Sequence, residues 1–166
     1  MNIKMRDLRK SDYDFVLRIN EENVEVLSPM DRAKVEYFEG CADMFKVVEV
    51  DGKLAAFCIV LREGEEAYTS ENYRWFSKNY EKFLYLDRIV IDKPFRRLGI
   101  GRMLYEAMFD RAKETGVSVV TLEVDTIPYN EPSLKFHEAM GFHEVGEQII
   151  RGGTVKVSLQ AREIDL

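Results

Sequence analysis

Apolar and polar residues alternate from the start of the chain, where Ile3, Met5 and Leu8 mark a short strand. Ser11-Asp12-Tyr13-Asp14 then reads as a helix start, with Ser11 as N-cap and Asp14 in the first turn. Phe15, Val16, Ile19 and Val24 give that helix an apolar stripe. Pro29 breaks the chain, and residues 31–41 have the pattern of a second short helix. Residues 45–50 and 54–61 are strand-like and are joined by Asp51-Gly52, a strong hairpin signal because both turn positions favour positive φ.

Residues 62–82 show no clean period, yet they contain Tyr68, Tyr73, Trp75, Phe76 and Tyr80. Two readings stand side by side: a lid or binding loop over a site, or a short surface helix that tucks its aromatics into the core. Further on, residues 83–91 read as a strand, 98–114 as an amphipathic helix, 117–124 as a strand and 131–140 as a helix. A hairpin of residues 142–150 and 154–159 turns at Gly152-Gly153. The order β-α-α-β-β-β-α-β-α-β-β mixes hairpins with strand–helix–strand crossovers, so the predicted class is α+β with a mixed sheet. No repeat, low-complexity tract or linker divides the 166 residues, which predicts one domain.

Composition narrows the function. With 46% hydrophobic and 33% charged residues, the chain has the balance of a soluble globular protein. Its first ten residues lack the apolar region of a signal peptide, and no apolar run approaches the roughly 18 residues of a spanning helix. Cys41 and Cys58 have no metal-site spacing and read as buried thiols of a cytoplasmic protein. The net charge of −6 argues against nucleic acid or an anionic membrane as partner. One stretch runs against this balance: Arg88, Lys93, Arg96, Arg97 and Arg102 lie within sixteen residues that hold a single acid, Asp92. On charge alone the stretch is either a solvated face or the seat of one anionic ligand.

The motif inside that stretch favours the ligand. A β-branched strand ends in a Pro94 turn, and the chain enters a helix through Gly99 and Gly101. Glycines there let a ligand approach the backbone, and free N–H groups backed by the helix dipole suit a phosphate. Arg96, Arg97 and Arg102 add charge-assisted donors, so a diphosphate is the expected guest. No Gly-Lys-Ser/Thr follows, and the three-glycine dinucleotide fingerprint is absent.

Arg96-x-x-Gly99-x-Gly101 resembles the acetyl-CoA signature of the GNAT acetyltransferase superfamily, (Gln/Arg)-x-x-Gly-x-(Gly/Ala). Downstream, Asn130-x-x-Ser133-x-x-x-His137-x-x-x-Gly141-Phe142 resembles the family's second motif, which has tyrosine where this chain has His137. The resemblance spans the whole chain. It implies a GNAT-type, mostly antiparallel central sheet flanked by helices, with the two central strands splayed to admit pantetheine. It also implies an acetyl-CoA-dependent N-acetyltransferase that moves acetyl to a primary amine, of a small molecule or a peptide, by direct attack in a ternary complex. No metal is called for, and a homodimer is compatible with the resemblance. The cofactor positions it implies are Ile89, Val90 and Ile91 on the strand, Arg96, Arg97, Leu98, Gly99, Ile100, Gly101 and Arg102 around the pyrophosphate, and Asn130, Ser133, Phe136 and His137 along the pantetheine arm.

For the chemistry, an amine of pKa near 10 must lose a proton and a thiolate must leave. The resemblance makes His137 the candidate acid in place of tyrosine; the plainer alternative is a helix residue without special role. Alternation puts Asp87 on one face with Tyr85, Ile89 and Ile91, and Glu123 on one face with Thr121 and Asp125. Either carboxylate is a candidate base or amine anchor, and an ion pair with Arg88 or a loop lysine is the structural alternative. Two rival functions use the same fold: a non-catalytic CoA-binding module, and a protein-interaction domain that grips with the aromatic 62–82 segment.

Overall fold

A computed structural model describes residues 1–127 and 129–166. The chain groups into two compact units, each assembled from two separate stretches: residues 1–61 with 86–107, and residues 62–85 with 108–166.

The first unit opens with β1 (Ile3–Asp7), α1 (Tyr13–Glu21) and α2 (Arg32–Cys41). β2 (Met44–Val50) pairs antiparallel with β1 and with β3 (Lys53–Arg62). Asp51 and Gly52 have φ of 51° and 81°, both in the left-handed region that the two-residue hairpin requires. α2 begins where Asp31 accepts a hydrogen bond from Lys34 N at 2.9 Å. α1 begins differently from the Ser11 expectation. A single 3₁₀ turn over Lys10–Asp12 leads into it, and Asp12 rather than Ser11 organises the entry. The Asp12 carboxylate accepts from Arg6 Nη1 and Nη2 at 2.8 and 2.9 Å and from Arg9 N at 2.7 Å. A buried carboxylate with a bidentate guanidinium outcompetes an exposed hydroxyl as the local organiser. Val24, expected on the helix stripe, lies beyond the helix end at Glu21.

The second unit contains the correction to the lid reading. Residues 71–79 form α3 (Glu71–Asn79), capped by Ser70, whose Oγ accepts from Tyr73 N. Tyr73 and Phe76 are buried, so the segment contains the short surface helix that tucks its aromatics into the core. Tyr73 Oη donates to Arg62 O at 2.6 Å and accepts from Glu65 N at 3.0 Å, which staples the preceding loop to the helix. The remaining elements are β4 (Leu84–Ile91), α4 (Ile100–Thr115), β5 (Val119–Ile127), α5 (Glu131–Ala139), β6 (His143–Ile150) and β7 (Val155–Glu163). β7 pairs antiparallel with both β5 and β6. Trp75 of α3 packs onto β6 at Gly146, where an added Cβ would stand 2.5 Å from Trp75 Cζ2.

The strand order is β1-β2-β3-β4-β5-β7-β6 in one seven-stranded sheet. All the pairings given above are antiparallel, and β4 with β5 is parallel through Leu84↔Val120 and Tyr85↔Thr121. β4 and α4 each contribute residues to both units. The α+β mixed-sheet expectation holds, with α3 as an added helix.

Candidate functional site

In the first unit, β4 leads into the glycine–arginine loop. Asp92 Oδ1 accepts from Lys93 N at 3.0 Å and fixes the turn that carries Pro94. Arg97 and Gly99 both have positive φ, 67° and 83°. A left-handed Arg97 is an unfavourable conformation for a side-chain-bearing residue, and such strain clusters where a loop is shaped for a ligand. A Cβ added at Gly99 meets nothing within 4 Å, so the space in front of this glycine is open. At Gly101 a Cβ would touch Ile91 Cδ1 at 3.6 Å, an ordinary contact.

The helical ladder of α4 starts with Met103 N donating to Gly99 O at 3.1 Å. The N–H groups of the first turn therefore have no helical acceptor. That turn contains no acid, Ile100 is buried as its anchor, and Arg96, Arg97 and Arg102 are exposed beside it. Free N–H groups, a positive helix end and clustered guanidinium groups fit a diphosphate.

On β4, Asp92 N donates to Ala55 O of β3 at 2.8 Å. One step of alternation turns the backbone of Ile91 to the other edge, where its carbonyl accepts from Arg96 Nε at 3.1 Å. The Val90 side chain is buried.

Asp87 is an ion-pair residue. Its Oδ2 accepts from Arg88 Nε at 2.8 Å, with both side chains almost wholly buried. Arg88 Nη1 also donates to Asn20 Oδ1 and Ser28 O, at 2.9 and 3.0 Å, and Nη2 donates to Ser28 Oγ at 2.9 Å. The guanidinium lies 5.6 Å from the Phe38 ring centroid. The network pins the loop after α1 to the middle of β4.

In the second unit, Tyr85 Oη donates toward the Glu123 carboxylate, 2.9 Å from Oε1 and 2.8 Å from Oε2. Register explains the meeting. Tyr85 stands opposite Thr121, and Glu123 is two residues further along the same face of β5. Thr121 Oγ1 donates to Leu84 O at 2.9 Å and locks that register. The Tyr85 ring is walled by Tyr73 and Phe76 of α3, with centroids 5.5 and 5.8 Å away. The aromatic 62–82 segment thus supports the residue that touches Glu123. Tyr85 was not among the expected site residues; its place on one face with Asp87 was the available signal.

α5 carries the remaining expected residues. Asn130 is its N-cap, and its Oδ1 accepts from Ser133 N at 3.3 Å. His137 is buried, and its Nδ1 lies 2.7 Å from Ser133 O, so Nδ1 carries the proton. Burial pushes the His137 pKa below its ordinary value, and the Ser133 carbonyl only partly counters this. At neutral pH the ring is therefore uncharged, with its lone pair on Nε2. Phe136 and Phe142 flank it edge-on at 5.4 and 5.6 Å. A proton donor at Nε2 would need either the other tautomer or a buried imidazolium, and this setting favours neither.

A mixed, mostly antiparallel sheet with a glycine–arginine loop opening its long helix defines the acetyltransferase class. The chain belongs to the acetyltransferase (GNAT) family, whose model matches residues 4–142. It is 30% identical over 94 residues to the [ribosomal protein bS18]-alanine N-acetyltransferase of Escherichia coli strain K12, covering 57% of this chain and 51% of that protein. The chain thus matches about half the length of that curated relative. Among solved structures, Ard1 from Thermoplasma volcanium superposes with a TM-score of 0.76 at 19% identity over 100% of both chains. Arabidopsis thaliana Naa50, solved with the bisubstrate analogue CoA-Ac-MVNAL, gives 0.73 at 14% identity over 98% of this chain and 99% of that one.

Proposed function

We propose that residues 1–166 form one acetyltransferase domain that transfers acetyl from acetyl-CoA to a primary amine by direct attack. The observation that carries this reading is the loop of residues 96–102, with its left-handed Arg97 and Gly99, open space in front of Gly99 and an acid-free helix start. The N–H groups of Arg97 to Gly101 hold the pyrophosphate, and the Ile89 and Ile91 edge of β4 takes the pantetheine amides as a strand would. Acetyl-CoA supplies the activated acyl group.

Glu123 takes the amine proton, with Tyr85 holding its carboxylate in one orientation. Asp87 is assigned to Arg88 and not to the reaction. The nitrogen then attacks the thioester carbonyl, the carbon–sulfur bond breaks, and CoA leaves as a thiolate that takes up the second proton, shed by the nitrogen as the amide forms. A thiol pKa near 8.5 makes this departure easy without a dedicated acid. His137, neutral with an Nδ1 proton, contributes as a wall of the α5 turn.

The names of the relatives support a polypeptide α-amine as the acceptor class. Cys41 and Cys58 are thiols rather than a disulfide, which supports a reducing, cytoplasmic setting. The net charge of −6 supports a reading without nucleic acid or membrane as partner. The test is CoA release from acetyl-CoA across a panel of N-terminal peptides, amino acids and small amines, with CoA binding measured in parallel. Amine-dependent release supports the reading. CoA binding with no turnover on any amine would leave a cofactor-binding module.

A further inference from the structure

We propose that Asp125 binds a second cationic group of the acceptor, so that the enzyme selects amines carrying another positive charge about 7 Å from the reacting nitrogen. The inference rests on the acetyltransferase reading and on the face of β5 that carries Glu123.

The register β5–β7 runs unbroken from Val119↔Glu163 to Asp125↔Val157, so Glu123 and Asp125 stand on one face, two residues or about 6.6 Å apart. A bulge follows immediately, between Asp125 and Ile127, and Ile127 pairs with Lys156 on the opposite face. Asp125 is therefore the last β5 side chain in the row that begins with Thr121 and Glu123. The bulged Thr126 is tied down through Oγ1 to Lys156 O at 3.2 Å, which keeps the end of the row in place. Across the sheet the row continues through Val157 to Gln148, whose Nε2 donates to Asn72 Oδ1 of α3 at 2.9 Å.

The two carboxylates are in different situations. Glu123 is engaged by the Tyr85 hydroxyl. Asp125 is half-buried, and among the described residues no group donates a hydrogen bond to it. Burial raises its carboxyl above the ordinary range, and the field of Arg151 at the β6–β7 tip does not compensate. A partly desolvated carboxylate short of positive charge gains most from a cation that arrives with the substrate. A reacting amine at Glu123 places a group two strand residues away against Asp125. The ammonium of a short diamine, or a lysine side chain near a peptide N-terminus, has that reach.

The test compares paired acceptors: an α,ω-diamine against the monoamine of equal length, and a peptide with lysine at its second position against the same peptide with leucine. The readout is the ratio of kcat/KM, charged over neutral, in wild type, Asp125→Asn and Asp125→Glu. In at least one pair the wild type is expected to favour the charged acceptor tenfold or more. Asp125→Asn should bring that ratio close to one, and Asp125→Glu should keep most of it. The pair that responds tells a free amine from a peptide. A wild-type ratio near one in both pairs, or a ratio that Asp125→Asn leaves unchanged, overturns the role of Asp125 while leaving the acetyltransferase reading intact. Absence of turnover on all four acceptors and on a wider amine panel overturns both.

Discussion

Tyr85 and Glu123 meet across the parallel pair at the centre of the sheet, the phenol reaching both carboxylate oxygens within 2.9 Å. Tyr85→Phe keeps the ring between Tyr73 and Phe76 and removes this bond. A hydrogen bond to a charged group is worth about 1.5–3 kcal/mol. Steady-state kinetics should show kcat lower by roughly 10- to 100-fold, with the CoA dissociation constant unchanged by calorimetry. Glu123→Gln should cost more, on the order of 10²–10⁴, as loss of a general base does. Wild-type rates for both variants would exclude the pair from the chemistry.

The two loop glycines should respond differently. Gly99→Val forces a β-branched residue to a φ of 83° and fills the open space ahead of the loop. Left-handed backbone costs about 1–2 kcal/mol in a side-chain-bearing residue, and the CoA dissociation constant should rise at least tenfold. Gly101→Ala has an ordinary φ and a Cβ contact of 3.6 Å, so its melting temperature should stay near wild type. Melting curves with and without CoA separate the two effects.

Gly146→Ala tests the seat of α3. The new methyl would stand 2.5 Å from the indole of Trp75, closer than any Cβ contact tolerates. Overpacking of this kind costs about 1–3 kcal/mol. Denaturant unfolding should show that loss, and the double variant with Trp75→Leu should recover part of it.

His137 gives a pH signature. Because its folded pKa lies below the unfolded value of about 6.5, the unfolded chain binds the proton more readily. Its contribution to stability is complete above the unfolded pKa and is lost as pH falls through the folded one. Unfolding free energy measured from pH 8 downward should therefore decline below about 6.5, and His137→Phe should flatten that part of the curve. Asp12, held below the ordinary carboxylate range by Arg6 and Arg9 N–H despite its burial, adds a separate loss that begins only at more acidic pH.

Much of this could be read from local pattern. The Asp51-Gly52 hairpin and the Arg96–Gly101 loop are legible because each depends on neighbouring residues and on backbone conformations that few residue types adopt. α3 was legible only in part. Its buried face is narrow, with Tyr73 and Phe76 one turn apart among polar neighbours, although Ser70 followed by Glu71 was a usable start signal. The Tyr85–Glu123 contact was not legible, since a parallel register set across a helical crossover leaves no trace in spacing. Nor was the fate of Asp87 decidable in advance. Alternation named both carboxylates equally, and only the buried Arg88 beside one and the phenol above the other distinguish them.

The Arg88 network has an evolutionary consequence. One guanidinium serves Asp87, Asn20 and two atoms of Ser28, so strand, helix end and loop share a single buried cation. Losing any one acceptor would leave buried charge or buried N–H groups uncompensated. Residues 20, 28, 87 and 88 should therefore be inherited as a set. A descendant with a remodelled loop after α1 would have to replace all four together or regain the lost bonds through a new partner, which makes this loop a slow place for the lineage to explore.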